Sequence, residues 1–485
     1  MDGDGGYDIY EEDGGVIEYE RTIFGFPRNR VFLGVGIITA VGILIIGVSI
    51  LTFYLVKDKQ DDRFDPTVII ISLDGFRAEY WAEDERLYPN IADLYQTGQR
   101  AVLEPVFPTL TFPNHYAIAT GLFAPWNGIM NNVFYDSSLD DVFNAFVPES
   151  SHDPVWWFGQ PTWNTAIYQG LRSATYFWPG SDVAINDTRP TYWYPYDESV
   201  PYQDRATQVL EWLALPYDKR PQLIYMYFDT PDHQGHDHGP DSVEVKAGIT
   251  EVDAVIGYLM DGLEDMASSS SPNLASAVHI LVVSDHGMAA TPPSNVIDVD
   301  TLGIVLGTSD DWTETQGVPQ GDQQGWGMSW GAVLTVLPAS EQDAIDIIAK
   351  LSIPNANWTV YTNSSETPER WHYCCSDRIA PITAVADVSY QFHSTMLFGN
   401  ETSLGNHGYD NGEPDMQAIY VANGPRIVRS SEQNDYYTRP LQNVDIVRII
   451  CDIIGLEEPP NNSSLGLVDL RQYYVSPERL NTTAL

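Results

Sequence analysis

Thr67-Val-Ile-Ile-Ile-Ser-Leu-Asp74-Gly75 is the stretch on which the fold turns. A strand with one solvated face alternates apolar and polar residues. This β-branched run does not, so it predicts a central strand buried on both faces, as in a parallel sheet covered by helices. Asp74-Gly75 supplies the turn that ends it. Working outward, Leu223–Phe228 ends at Asp229, residues 278–284 end at Asp285, and residues 418–421 form a fourth such run. Between them, residues 88–98 and 241–266 carry helical apolar spacing. Strands alternating with helices predict an α/β fold with a mostly parallel central sheet. In such sheets ligands bind beyond the carboxyl ends of the strands, and acidic residues stand at three of those ends.

The chain has 485 residues, 43% hydrophobic and 12% aromatic, which excludes wholesale disorder. Its net charge of −43 leaves no basic stripe for a nucleic-acid polymer, so none is expected as a partner. A phosphate bound here needs metal ions, backbone amides or a few local cations. Three cysteines exclude a disulfide scaffold. One bridge from Cys451 to Cys374 or Cys375 suits an oxidising compartment; three reduced thiols are the alternative.

Residues 1–30 are read as an acidic, disordered cytoplasmic tail: the first 20 hold eight acidic residues and no basic one. Residues 31–56 carry no charge and, as a helix, would reach about 39 Å, enough for one transmembrane signal anchor. Flanking charge does not orient it. Asn186, Asn357, Asn363, Asn400, Asn461, Asn462 and Asn481 each open an N-glycosylation sequon C-terminal to it. They place the bulk of the chain outside the cell or in a secretory or vacuolar lumen, as a single-pass type II protein. Residues 57–66 read as a stalk, 67–295 and 405–475 as the core, 296–404 as an inserted α+β subdomain, and 476–485 as a tail.

Four segments place Asp and His after strands or in glycine-rich turns: Asp74, Asp232 with His236, Asp285 with His286, and His407. The chain has only 10 histidines, yet His233, His236, His238, His286 and His407 all fall in these turns. Asp with His is a natural zinc ligand set. Thr109 and Thr111 lie just before an apolar run. Either is a candidate nucleophile if its hydroxyl is activated, or an ordinary helix N-cap. No Gly-X-Ser-X-Gly elbow is present, so a serine-hydrolase triad is unsupported.

Several stretches together resemble the ecto-nucleotide pyrophosphatase/phosphodiesterase (NPP) family of the alkaline phosphatase superfamily. They are Asp74-Gly-Phe-Arg77, Thr111-Phe-Pro-Asn-His-Tyr-Ala-Ile-Ala-Thr-Gly121, Phe177-Trp-Pro-Gly-Ser-Asp182, Pro231-Asp232 through Gly235-His236, Ser284-Asp-His-Gly-Met288, Arg370-Trp-His-Tyr373 and His407-Gly-Tyr-Asp-Asn411. The resemblance implies an alkaline phosphatase-like fold and two Zn²⁺, one held by Asp232, His236 and His407, the other by Asp74, Asp285, His286 and Thr111. It makes Thr111 the nucleophile and Asn132 the oxyanion-binding amide, and places a nucleotide base among Phe112, Trp178, Pro179, Asp182 and Tyr196. The implied reaction is hydrolysis of nucleoside triphosphates and dinucleotides to nucleoside 5′-monophosphates through a phospho-threonine-type intermediate. Leu110 and Asn127 depart from the Lys and His that members place there. The chain also lacks the family's Cys-rich and nuclease-like modules, so it reads as a minimal catalytic ectodomain on an anchor. Two other functions remain open: a phospholipid-headgroup phosphodiesterase, and a non-catalytic membrane-tethered binding ectodomain.

Overall fold

The computed structural model describes residues 65–82, 84–269, 273–362, 366–428 and 441–466, with a short strand pair, Thr22–Ile23 and Phe26–Pro27. The expected anchor at 31–56, stalk residues 57–64, the C-terminal tail and the rest of the acidic tail lie outside the described residues. Among the described residues no helix is long and apolar enough to cross a membrane.

The main sheet has eight strands, in the order Leu441–Gln442, Gln99–Glu104, Ala418–Asn423, Val278–Val283, Thr67–Leu73, Leu223–Phe228, Ser173–Tyr176, Tyr192–Tyr194. The four runs singled out in the sequence are therefore its four consecutive central strands. Ala418–Asn423 runs antiparallel to both neighbours, which makes the sheet mixed; the other pairings are parallel. The unbroken apolar pattern has the predicted cause. Val68 and Ile70 point into one core and Ile69, Ile71 and Leu73 into the other. On the first side lie Tyr116 and Ile118 of helix Thr111–Thr120 and Ile446, Ile449 and Ile453 of helix Ile446–Ile454. On the second lie Ile91 of helix Pro89–Thr97 and Ile249, Val252 and Ile256 of helix Val243–Ser269.

A second sheet of five strands, Leu306–Thr308, Gly325–Ser329, Val333–Pro338, Ile382–Ala386 and Trp358–Tyr361, is antiparallel except for its first pair. Helix Glu341–Leu351 buries Ile347 and Leu351 in its core. This sheet shares packing with the rest: Val333 and Val385 belong to the same apolar cluster as Phe107 and Trp371.

The expected bridge to Cys451 is not formed. All three thiols are free, and Cys451 is buried among the isoleucines of its own helix. Of the sequon asparagines, Asn186, Asn357 and Asn400 are exposed. Asn461 and Asn462 are half-buried, with Asn461 donating to Glu458 and to the Pro459 carbonyl.

One buried histidine gives the fold a pH dependence. His279, in strand Val278–Val283, has no solvent exposure, and its Nδ1 meets the Ala277 carbonyl oxygen at 3.0 Å. Burial pushes its imidazole down to about 4. In the unfolded chain it takes up a proton near its ordinary value of about 6.5, so between these pH values the unfolded state binds more protons. The stabilisation from its neutral form is therefore complete above pH 6.5 and is lost as pH falls toward 4. Denaturant unfolding at pH 7 and pH 4 should show the wild type losing about 3 kcal/mol more than His279→Phe.

Candidate active site

Strands Leu223–Phe228, Thr67–Leu73 and Val278–Val283 lie side by side and parallel. Their carboxyl ends deliver Asp232, Asp74 and Asp285 to one place. Gly75 fits the turn between them. Its φ of +68° suits a residue without Cβ, and a Cβ there would stand 2.9 Å from Asp232 Oδ1. Its N–H instead donates to Asp285 Oδ1 at 3.1 Å. Tyr227 donates its hydroxyl to Asp74 Oδ2 at 2.7 Å. Asp232 opens helix Asp232–His238, so His236, four residues on, falls on the same face, with Nε2 3.4 Å from Asp232 Oδ2. His407 arrives from a distant loop, its Nε2 3.5 Å from Asp232 Oδ1 and 3.1 Å from His236 Nε2.

Three imidazoles share one orientation. Nδ1 of His236, His286 and His407 lies 2.9 Å from the carbonyl oxygens of Gly405, Gly287 and Thr109 respectively. A carbonyl only accepts, so each Nδ1 carries a proton, and each ring in its neutral form keeps its lone pair on Nε2. Those lone pairs converge on the carboxylates. His286 Nε2 is 2.9 Å from Asp285 Oδ2 and 3.5 Å from Asp74 Oδ1. Asp74 Oδ1, Asp232 Oδ1 and Asp285 Oδ2 are buried and accept no hydrogen bond. Orphaned carboxylate oxygens facing imidazole lone pairs fit a cation between them.

The ionisation pattern reflects burial and crowded charge: burial disfavours the His286 cation, but Asp285 and Asp232 outweigh it and hold its imidazole above the ordinary value. Burial, with Asp285 and Asp232 close by, pushes the Asp74 carboxyl well above the usual carboxylate range. Burial also disfavours the charged forms of Asp232 and Asp285, but neighbouring histidines outweigh it and hold both below their ordinary value. These are His236, His407 and His286 for Asp232, and His286 and His115 for Asp285. Burial, then His286, drives the His407 imidazole down to about 3, so it is neutral and able to ligate. Three sets of ligand atoms are close enough to share an ion: Asp232, His236 and His407; Asp74, Asp232 and His286; and Asp74, His115 and Asp285. The first is the set expected from the sequence.

The two threonines separate here. Neither caps the helix with its side chain: Leu110 is the N-cap and Thr111 the first helical residue. Thr109 is fully buried, accepting from Gly408 N at 2.8 Å and donating to the Tyr409 carbonyl at 3.0 Å. Thr111 is half-buried, and its Oγ1 lies 3.4 Å from His286 Nε2. Of the two, only the Thr111 hydroxyl faces the Asp/His cluster, at the positive end of a ten-residue helix. Asn132 stands beside it, its Oδ1 accepting from Phe112 N at 3.0 Å. Asn131 is buried and its Oδ1 accepts from Asn132 N.

The residues expected around a base divide. Phe112 is half-buried, with ring centroids 6.3 Å from Phe143 and Trp157. Tyr196 is 48% exposed and packs on Phe177, next to Tyr227. Asp182 pairs with His152 at 3.0 Å. Trp178 and Pro179 are buried instead; Trp178 donates to the His115 carbonyl and packs on His115 and Tyr225. His233 and His238 are exposed. Sequence reading gave no role to Tyr227, Trp157, His152 or His115. His115 could have been found, since it lies one helical turn after Thr111 and so on the same face. It sits buried between Ser72 Oγ at 2.8 Å and the Thr111 carbonyl at 2.9 Å.

Residues 68–410 match the family described as Type I phosphodiesterase / nucleotide pyrophosphatase. The chain belongs to this family. It is 35% identical over 417 residues to bovine ectonucleotide pyrophosphatase/phosphodiesterase family member 3, covering 84% of this chain and 44% of that protein. It is 36% identical to an uncharacterised pyrophosphatase/phosphodiesterase of Schizosaccharomyces pombe, covering 84% and 81%. Murine ectonucleotide pyrophosphatase/phosphodiesterase 5 superposes with a TM-score of 0.73 at 30% identity, covering 84% of this chain and 100% of that one. An inactive threonine-to-alanine form of that protein in complex with AMP matches equally well. The chain spans about half the length of the first curated relatives it matches. The matched span of this phosphodiesterase family contains Asp74, Thr111, Asp232, His236, Asp285, His286 and His407.

Proposed function

We propose that this chain is a zinc-dependent phosphodiesterase that hydrolyses nucleotide phosphodiester and pyrophosphate bonds to nucleoside 5′-monophosphates, with Thr111 as nucleophile. The observation that carries the reading is the Thr111 hydroxyl at a helix N-terminus, 3.4 Å from His286 Nε2 and beside orphaned carboxylates. Asp232, His236 and His407 would hold one Zn²⁺; Asp74, Asp285, His286 and Thr111 the other. Bound Zn²⁺ lowers a hydroxyl's pKa and polarises a phosphoryl oxygen. The chain supplies the rest. Thr111 Oγ1, its proton passing to water, attacks the phosphorus bonded to the nucleoside 5′ oxygen and displaces pyrophosphate from ATP, leaving AMP esterified to Thr111; water then cleaves the Thr111–phosphorus ester, releasing AMP and restoring the hydroxyl. The helix N-terminus favours the phosphoryl anion, and the Asn132 amide, whose oxygen accepts from Phe112 N and whose NH₂ has no partner among the described residues, would stabilise its developing charge. Phe112 and Tyr196 offer ring faces to the base, an interaction worth roughly 1–3 kcal/mol each and tolerant of base identity. Ecto- and venom-enzyme names among the relatives support a catalytic domain outside the cell or in a lumen. The type II anchor at 31–56 and the seven glycans belong to the same proposal.

The test is product analysis on the full chain loaded with zinc. ATP should give AMP and pyrophosphate. ADP with phosphate would overturn the reading. So would inert ATP together with headgroup release from lysophosphatidylcholine, which would make the enzyme a lipid phosphodiesterase.

A further inference from the structure

Cys374 and Cys375 lie on a short segment strung between two anchors. Upstream, Trp371 stacks face to face on Phe107 at 3.7 Å and donates from Nε1 to Asp410, while Arg370 pairs with the same carboxylate. Downstream, buried Arg378 pairs with Asp136 at 2.6 Å and donates to the Gly128, Trp156 and Val155 carbonyls. Successive side chains on a strand point to opposite faces, and neighbours on a helix do not face each other. Here Cys375 takes a φ of +66°, and its sulfur lies 2.7 Å from that of Cys374. A left-handed conformation is disfavoured for a residue with a Cβ. His372, just upstream, adopts one too, at +48°. The segment is thus held in a backbone shape that brings two adjacent thiols together, with Cys375 exposed and Cys374 half-buried.

We propose that Cys374 and Cys375 form a reversible vicinal disulfide by exchange with a small-molecule disulfide of the glutathione class. The Cys375 thiolate attacks one sulfur of that disulfide, giving a mixed disulfide and one small thiolate. The Cys374 thiolate then attacks Cys375 Sγ and expels the second. Two protein thiols are oxidised, one small disulfide is reduced to two thiols, and the two protons pass to the departing thiolates. Adjacent Cα atoms are about 3.8 Å apart across a trans peptide, closer than the roughly 4.4–6.8 Å usual for disulfides. The ring is therefore strained and readily reduced, which suits a redox-responsive site rather than a structural staple. Cys451, buried in its helix, takes no part.

The experiment equilibrates the full chain in glutathione buffers from reducing to oxidising, alkylates free thiols, and measures the mass of tryptic peptide 371–378, which carries both cysteines. The expected result is a single step, with rising oxidation, in which the peptide loses two hydrogens and both alkylation sites together. Cys374→Ser should instead accumulate the glutathione adduct on Cys375. Alkylation of both wild-type thiols across the whole series would overturn the proposal, as would a stable wild-type glutathione adduct or a link to the peptide carrying Cys451.

Discussion

Thr111→Ala is expected to lower kcat/KM for ATP by at least about a thousandfold while leaving the fold intact. The residue is half-buried at the first helical position and makes no capping bond, so losing its hydroxyl removes only the long contact with His286 Nε2. A melting temperature within a degree or two of the wild type, measured beside the kinetics, checks this. Thr109→Ala should do the opposite. Its hydroxyl accepts from Gly408 N and donates to the Tyr409 carbonyl inside the core. Removing it leaves a buried N–H unpaired and should cost about 1–3 kcal/mol of stability. It should also loosen the loop that carries His407, without deleting the reacting group. Retained turnover in Thr111→Ala would show that the chemistry does not pass through this threonine.

The second large effect is on metal. His407→Ala should lose about one zinc per chain by elemental analysis and reduce turnover more than about a hundredfold, beyond what displaced outer-shell partners cost. The reason is geometric. Thr109 fixes the His407 proton on Nδ1, burial keeps the ring neutral, and Nε2 is aimed at Asp232 and His236. Removing it leaves two ligands of that set, too few for a tetrahedral site whose remaining position must stay open to substrate. Full zinc content in His407→Ala, with normal turnover, would break the ligand assignment.

Much of this was legible in the chain because the physics involved is local. A short apolar run with no alternation, bounded by turn signals, reads as a strand buried on both faces, and the four runs of that kind are the four central strands. Asp74 and Asp285 follow their strands within two residues, so their placement at the carboxyl edge came with the strands. Asp232 and His236 share a face because four residues make about one helical turn. Other readings failed where the answer lay in packing. The resemblance placed Trp178 and Pro179 beside a base; the fold buries both, while Phe112 and Asp182 are half-buried and Tyr196 is exposed. Cys451 offered a bridge partner only while its burial was unknown. The reversal of Ala418–Asn423 carries no local sequence signal, since an apolar strand pairs in either direction.

By itself, then, the sequence determined the strands, the helices between them, and the residue types that end on the functional edge, because hydrophobic period and turn chemistry act within a few residues. The tertiary structure alone decided three things. It separated Thr111 from Thr109, gave three imidazoles one tautomer through carbonyls of Gly405, Gly287 and Thr109, and brought Cys374 and Cys375 face to face. Two of those carbonyls, and both hydrogen-bond partners of Thr109, reach their place across long spans of chain. Such contacts are set by how the sheets and helices close on one another, which no short window of sequence contains.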